Sequence, residues 1–251
     1  MNWSFINSGA CAAKFNMDFD CWLAESLQAD IILPTLRLYG WNPPAISIGY
    51  HQQENDFDRT KLSDHGIDLV RRPTGGRAIL HDHEVTYSVV MRIEDRSLRS
   101  IYRLINESIQ HGLQLLGIHA ELSGGVKDFH AAVSDSASAP CFSVSAPSEL
   151  QVDGRKIVGS AQRRFGDVVL QHGSILLGPQ HRRLVDYLAP SFSSSVPMMS
   201  ETLQANTIDM DTILGRAIGF DEVAEVLYRG FATVLDAEFV PSEENLQLTP
   251  A

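Results

Sequence analysis

Cysteine is scarce in this chain of 251 residues: only Cys11, Cys21 and Cys141 occur. No two of them form a CxxC pair, which excludes a zinc ribbon and a thioredoxin-like redox motif. Three reduced thiols in a cytoplasmic protein are expected. Positive charge is also short. The 20 Lys and Arg stand against 31 Asp and Glu, a net charge of −11, which is the wrong sign for a general nucleic-acid binder. No run approaches the ~20 apolar residues of a membrane span. The amino terminus lacks a basic stretch followed by an apolar one, so no secretory signal is expected. A Walker A loop, a GxGxxG turn and a GxSxG elbow are all missing.

What remains is the composition of an ordinary soluble globular protein, 44% apolar and 20% charged. The length suffices for a core without disulfides or metals. One domain over residues 1–251 is expected, with the catalytic core at about 31–219. Apolar spacing predicts helices over Asp18–Leu27, Ser97–Leu116, Met210–Ile218 and Asp221–Leu235. Strands are predicted within Leu36–Gly49, interrupted by Pro43-Pro44, and over Asp68–Arg72, Ala78–His81, Glu84–Arg92 and Val168–Leu177. Glu149–Val152 and Arg155–Ala161 flank Asp153-Gly154, a strong hairpin signal. Ala131–Ala139, Pro190–Ser200 and the tail after Pro241 read as loops. Strands in the middle with helices at both ends favour an α+β fold: a mixed, largely antiparallel sheet with flanking helices.

Chemistry-bearing side chains gather in a few segments. In Arg71-Arg72-Pro73-Thr74-Gly75-Gly76-Arg77, glycines let backbone N–H groups approach an anion and arginines supply forked donors. The same residues also fit a tight turn with solvated arginines. After the hairpin, alternation puts Lys156 and Val158 on one face, and Arg155 and Ile157 on the other. Lys156 is either a desolvated acid–base group or an exposed hairpin lysine. Cys141, in Pro140-Cys141-Phe142-Ser143, is either a nucleophile activated by a nearby ammonium or a buried structural thiol. Cys11 and Cys21 have no comparable surroundings and read as inert. His81 and His83 would share a face at a strand end, but no third ligand is evident, so no metal is expected. His172 lies mid-strand before Gly173 and either lines a pocket or sits in the core.

Four segments together resemble the biotin/lipoate protein ligase superfamily, in its lipoate–protein ligase A-like branch. They are WNPPAISIGYHQ (41–52), DLVRRPTGGRAILHDHEVTYSVV (68–90), GRKIVGSAQRR (154–164) and LQHGSILL (170–177). The nearest likeness is to octanoyltransferases of the LipM type, which carry a cysteine upstream of GRKIxGSAQ, as Cys141 stands here. The resemblance implies that Cys141 takes an octanoyl group from octanoyl–acyl carrier protein as a thioester, with Lys156 lowering the thiol pKa and relaying protons. The acceptor would be the lysine of a lipoyl domain, expected to be the glycine cleavage H protein. Substrate would be held by Arg72, Gly75, Gly76, Arg77, His81, Gly159, Ser160, Ala161, His172 and Gly173. No cofactor is implied. The alternatives are an ATP-dependent lipoate–protein ligase, an amidotransferase moving octanoyl or lipoyl groups between protein lysines, and a non-enzymatic carrier-binding module. Arg71, Arg72, Arg77, Arg155, Lys156, Arg163, Arg164, Arg182 and Arg183 lie in or near these segments. A basic mouth on an acidic body is therefore expected, suited to acidic carrier proteins.

Overall fold

The computed structural model describes residues 2–124 and 149–241. Its first half contains β1 (Asn2–Cys11), α1 (Ala13–Gln28), β2 (Thr35–Trp41), β3 (Ala45–Ile48), α2 (Arg59–Asp64), β4 (Asp68–Arg71), β5 (Ile79–His81), β6 (Glu84–Arg92), α3 (Leu98–Leu115) and β7 (Glu121–Leu122). The second contains β8 (Leu150–Val152), β9 (Arg155–Lys156), β10 (Val158–Phe165), β11 (Val168–Leu176), α4 (Val196–Asn206), α5 (Met210–Leu214), α6 (Phe220–Leu235) and β12 (Glu238–Pro241).

Alternation along β6 organises the fold. Val85, Tyr87, Val89 and Met91 pack under α3 and α6, against Ile101, Ile105, Ile109, Leu113, Val223, Leu227 and Phe231. Each such side chain, fully buried, contributes roughly 1.5–3 kcal/mol. Val90, on the opposite face, packs with Val168 and Leu170 against Phe19, Leu23 and Leu27 of α1. The α3 helix begins where expected, with the Ser97 hydroxyl capping the Ser100 N–H. Strand order in the main sheet is β10-β11-β6-β2-β1-β12. The β10–β11, β11–β6 and β6–β2 pairs are antiparallel, whereas β2–β1 and β1–β12 are parallel. This is the mixed, largely antiparallel sheet with flanking helices that the sequence pattern predicts. Two small sheets, β4-β3-β5 and β7-β8-β9, sit beside it. Among the described residues no helix is long and apolar enough to cross a membrane.

Several elements differ from expectation. The β1 strand has its large apolar residues, Trp3, Phe5 and Ile6, only in its first half, and its register shifts between Asn7 and Gly9, so it offers no steady alternation to read. Leu36–Gly49 is interrupted at its prolines as expected, through a cis Asn42-Pro43 peptide, but its two strands, β2 and β3, join different sheets. The stretch 190–200, read as a loop, contains the start of α4, which buries Met199 and Leu203. The hairpin tip is as expected, with left-handed Asp153 and Gly154 (φ 51° and 72°). Its second strand, however, breaks at Ile157. The Ile157 N–H donates to Leu150 O at 3.1 Å, while its carbonyl accepts from Leu176 N at 3.1 Å. Lys156 thus belongs to a small sheet and Val158 to the main one. The simple alternation of Lys156/Val158 against Arg155/Ile157 does not survive this break: Lys156, Ile157 and Val158 are all buried.

Candidate active site

A cavity of about 450 Å³, counted with the solvent space at its mouth, lies on the α1 side of the main sheet. The glycine loop contributes Arg72 and Gly76, and β5 contributes His81. Gly159, Ser160 and Ala161 come from β10, and His172 and Gly173 from β11. Gly75 and Arg77 do not line it. Gly173 lets the strands close up on the far face of the sheet: a Cβ there would stand 2.3 Å from Gly159 O and 2.8 Å from the Tyr87 ring, which packs under α3. The loop is held equally closely. A Cβ on Gly49 would lie 1.9 Å from Gly76 O.

Arg72 is a brace for this loop. Its guanidinium donates to Ser47 O at 3.0 Å, Gly75 O at 2.8 Å and Arg77 O at 2.7 Å. Thr74 fastens the loop to the sheet. Its hydroxyl lies 2.7 Å from His172 Nε2, and His172 Nδ1 lies 2.9 Å from Asp20 Oδ2. Asp20 is fully buried and also accepts from Arg37 at 2.9 Å and from the Tyr39 hydroxyl at 3.0 Å. Burial alone would raise its carboxyl, but the His172 hydrogen bond and the Arg37 charge outweigh that and hold it below the ordinary carboxylate value. An ionised Asp20 only accepts, so His172 donates to it from Nδ1.

His81 is held in the same manner. Nε2 is 2.7 Å from Ser47 Oγ and Nδ1 is 2.8 Å from Glu84 Oε1. Burial pushes the Glu84 carboxyl up, but His81, Ser174 and Thr86 together bring it below its usual value. The Trp41 indole stacks on the His81 ring at 4.0 Å between centroids. His83 parts from His81: it is a left-handed turn residue (φ 52°) lying 3.7 Å from Asp211. The turn at Asp82-His83 ends the alternation that would put both rings on one face.

Lys156 is not an exposed hairpin lysine. It is 2% exposed, and Nζ sits 2.7 Å from Glu149 Oε1, itself buried. In the hairpin register Gln151 faces Lys156, which makes Glu149 the diagonal neighbour. Lys156 is not a lining residue of the cavity. Cys141 falls outside the described residues. The Cys21 thiol is pushed up to about 11, first by burial and then by Asp20, which suits an inert thiol.

The basic mouth is smaller than expected. Lys156 pairs with Glu149, Arg182 with Asp209 at 3.4 Å and Arg183 with Asp82 at 4.0 Å. Beside the glycine loop, Arg163 donates to Pro73 O at 3.0 Å and lies over the exposed Tyr50 ring. Arg71 is exposed there too, donating to Tyr50 O at 3.0 Å and pairing with Glu54 at 3.7 Å. The sequence pattern did not single out Met17, Asp20, Arg37, Trp41 or Glu149, and it gave Thr74 only as part of the glycine loop. One signal was available: an arginine inside the otherwise apolar strand TLRLYGW needs a buried carboxylate.

The model of one protein family, the lipoyl protein ligase A/B catalytic domain, matches residues 12–232. The chain belongs to that family. Within the lipoyl protein ligase A/B family it is 38% identical to the octanoyltransferase LipM of Anoxybacillus flavithermus, covering 98% of this chain and 90% of that relative. It is 37% identical to the octanoyltransferase LipM of Kyrpidia tusciae, over 96% of this chain and 90% of the relative. The fold is similar to a putative lipoate protein ligase of T. acidophilum with bound lipoic acid, at a TM-score of 0.76, 24% identity, and coverage of 99% and 93% of the two chains. The family match begins at residue 12, immediately before α1, and so includes that helix. That agrees with Met17 lining the cavity and Asp20 holding His172, although both precede the expected core at 31–219.

Proposed function

We propose that this protein is a cytoplasmic, single-domain octanoyltransferase of lipoate biosynthesis. It moves an octanoyl group from octanoyl–acyl carrier protein to the lysine of a lipoyl domain, that of the glycine cleavage H protein. The near-full-length identity to proteins named octanoyltransferase LipM carries this reading. The cavity supports it, because each methylene buried there contributes ~0.8 kcal/mol, and Gly159, opposite Ser174 in the sheet, presents no side chain to it.

In the proposed sequence the Cys141 thiolate attacks the donor thioester carbonyl. A C–S bond to Cys141 forms, the bond to the carrier thiol breaks, and that thiol leaves with a proton. The acceptor lysine amine then attacks the new thioester, forming the amide and returning the Cys141 thiol. Lys156, buried against Glu149, is assigned to stabilise the thiolate and pass the proton. The donor is already activated, so ATP is not needed. Mixing the protein with octanoyl–acyl carrier protein and a lipoyl domain, without nucleotide, should yield octanoyl-lysine by mass spectrometry. Product that forms only with ATP and free octanoate would replace this reading with a ligase.

Docking should depend on the arginines around Tyr50. At 0.5 M salt, where charges are screened within a few ångströms, transfer from the acidic carrier should slow through KM, not kcat. Arg163→Glu should reproduce that effect at low salt. A transfer rate indifferent to both would remove the electrostatic role.

A further inference from the structure

A second cleft, of about 810 Å³ including solvent space at its mouth, adjoins the first. Ala10, Gly40, Leu177 and Phe220 give it an apolar side, while Asp82, His83 and Glu84 edge it. The two cavities share only Trp41 and His81 among their lining residues. These are the stacked pair, 4.0 Å apart and 11° from coplanar. Both rings are pinned. The Trp41 Nε1–H donates to Thr86 Oγ1 at 2.7 Å, and the His81 nitrogens face Ser47 and Glu84. The pair is therefore a partition between two spaces.

We infer that the Trp41–His81 partition sets the length of acyl chain the enzyme accepts. This rests on the proposed acyl transfer, with the chain lying in the first cavity. A chain that reaches the rings must stop, because they are held by hydrogen bonds and cannot turn aside cheaply. Apolar volume lies directly behind them. Each further methylene that found an apolar bed there would bind about fourfold more tightly. Trp41 is the part of the wall that can be removed, since His81 is also tied to the buried carboxylate of Glu84.

The test is competition among octanoyl-, decanoyl- and dodecanoyl-carrier thioesters for a lipoyl domain, read by mass spectrometry. Wild type should deliver mainly octanoyl. Trp41→Ala should raise the dodecanoyl-to-octanoyl ratio about tenfold or more, whereas Trp41→Phe, which keeps a ring over His81, should hold the wild-type ratio. Adding Leu177→Phe to Trp41→Ala should refill the second space and reverse the gain. A folded Trp41→Ala protein with an unchanged ratio overturns the inference; if that variant unfolds, Trp41→Leu faces the same criterion. If wild type transfers no acyl group, the functional reading has failed instead. Calorimetric affinities for octanoate and dodecanoate, in wild type and variant, then decide the partition separately.

Discussion

Cys141→Ala is expected to abolish the octanoyl adduct and all transfer through it. No other residue replaces the lost thiolate: Cys21 is protonated at neutral pH by its raised pKa, and an alanine cannot form a thioester. Lys156 variants then separate two roles for the buried ammonium. Lys156→Met keeps the volume but removes the charge and the proton; transfer at neutral pH should fall by about 10²–10⁴. Its residual rate should climb with pH as the unassisted thiol ionises near its ordinary value of about 8.5. Lys156→Arg retains a cation beside Glu149 but holds its proton too tightly to relay it. Loss of activity in that variant identifies proton transfer as the main role, and retention identifies charge alone. An adduct that persists in Cys141→Ala would sink the covalent mechanism.

Asp20→Ala should cost about 3–5 kcal/mol of folding stability. The reason is what stays behind. Arg37 has no solvent exposure, and without Asp20 its charge is left in the interior with no carboxylate opposite. Tyr39 and His172 lose an acceptor in the same step. For a chain of this size the melting temperature should drop roughly 6–20 °C. Replacing both partners, as in Asp20→Leu with Arg37→Met, should cost much less than the two single changes added together, because no lone charge is then buried. The carboxylate also gives a pH signature. Its folded-state pKa lies below the ordinary 3.8, so its contribution is present above that value and disappears as pH falls through the folded value. A single-variant loss under about 1 kcal/mol in urea denaturation would show that the network carries little of the stability.

The sheet and its helices were legible because they rest on local period. Val85, Tyr87 and Val89 announce a buried face by alternation, and the α3 stripe announces its own. Much of the cavity was also legible, since the glycine loop, β10 and β11 each carry their residues in short contiguous runs. What was not legible depends on distance along the chain. Thr74, His172 and Asp20 meet across 98 and 152 positions, and no spacing rule connects them. Trp41 and His81 stack only because β2 ends, the chain turns at Asn42-Pro43, and β3 pairs antiparallel with β5. The break at Ile157 was hidden for a related reason. Strand propensity continues through it, and only the competing hydrogen bonds of two sheets divide the run.

That break has a practical use. Lys156 is paired to Gln151 on one side and bridged to Thr207 on the other, with its carbonyl accepting from Ile208 N at 3.0 Å. Ile157 anchors the next step to both sheets. The lysine is thus clamped by main-chain contacts independent of the outermost turn at Asp153-Gly154. That turn is a natural attachment point for a fluorophore or affinity handle: a reporter there would ride on the small sheet that carries Lys156 while leaving the lysine's alignment undisturbed.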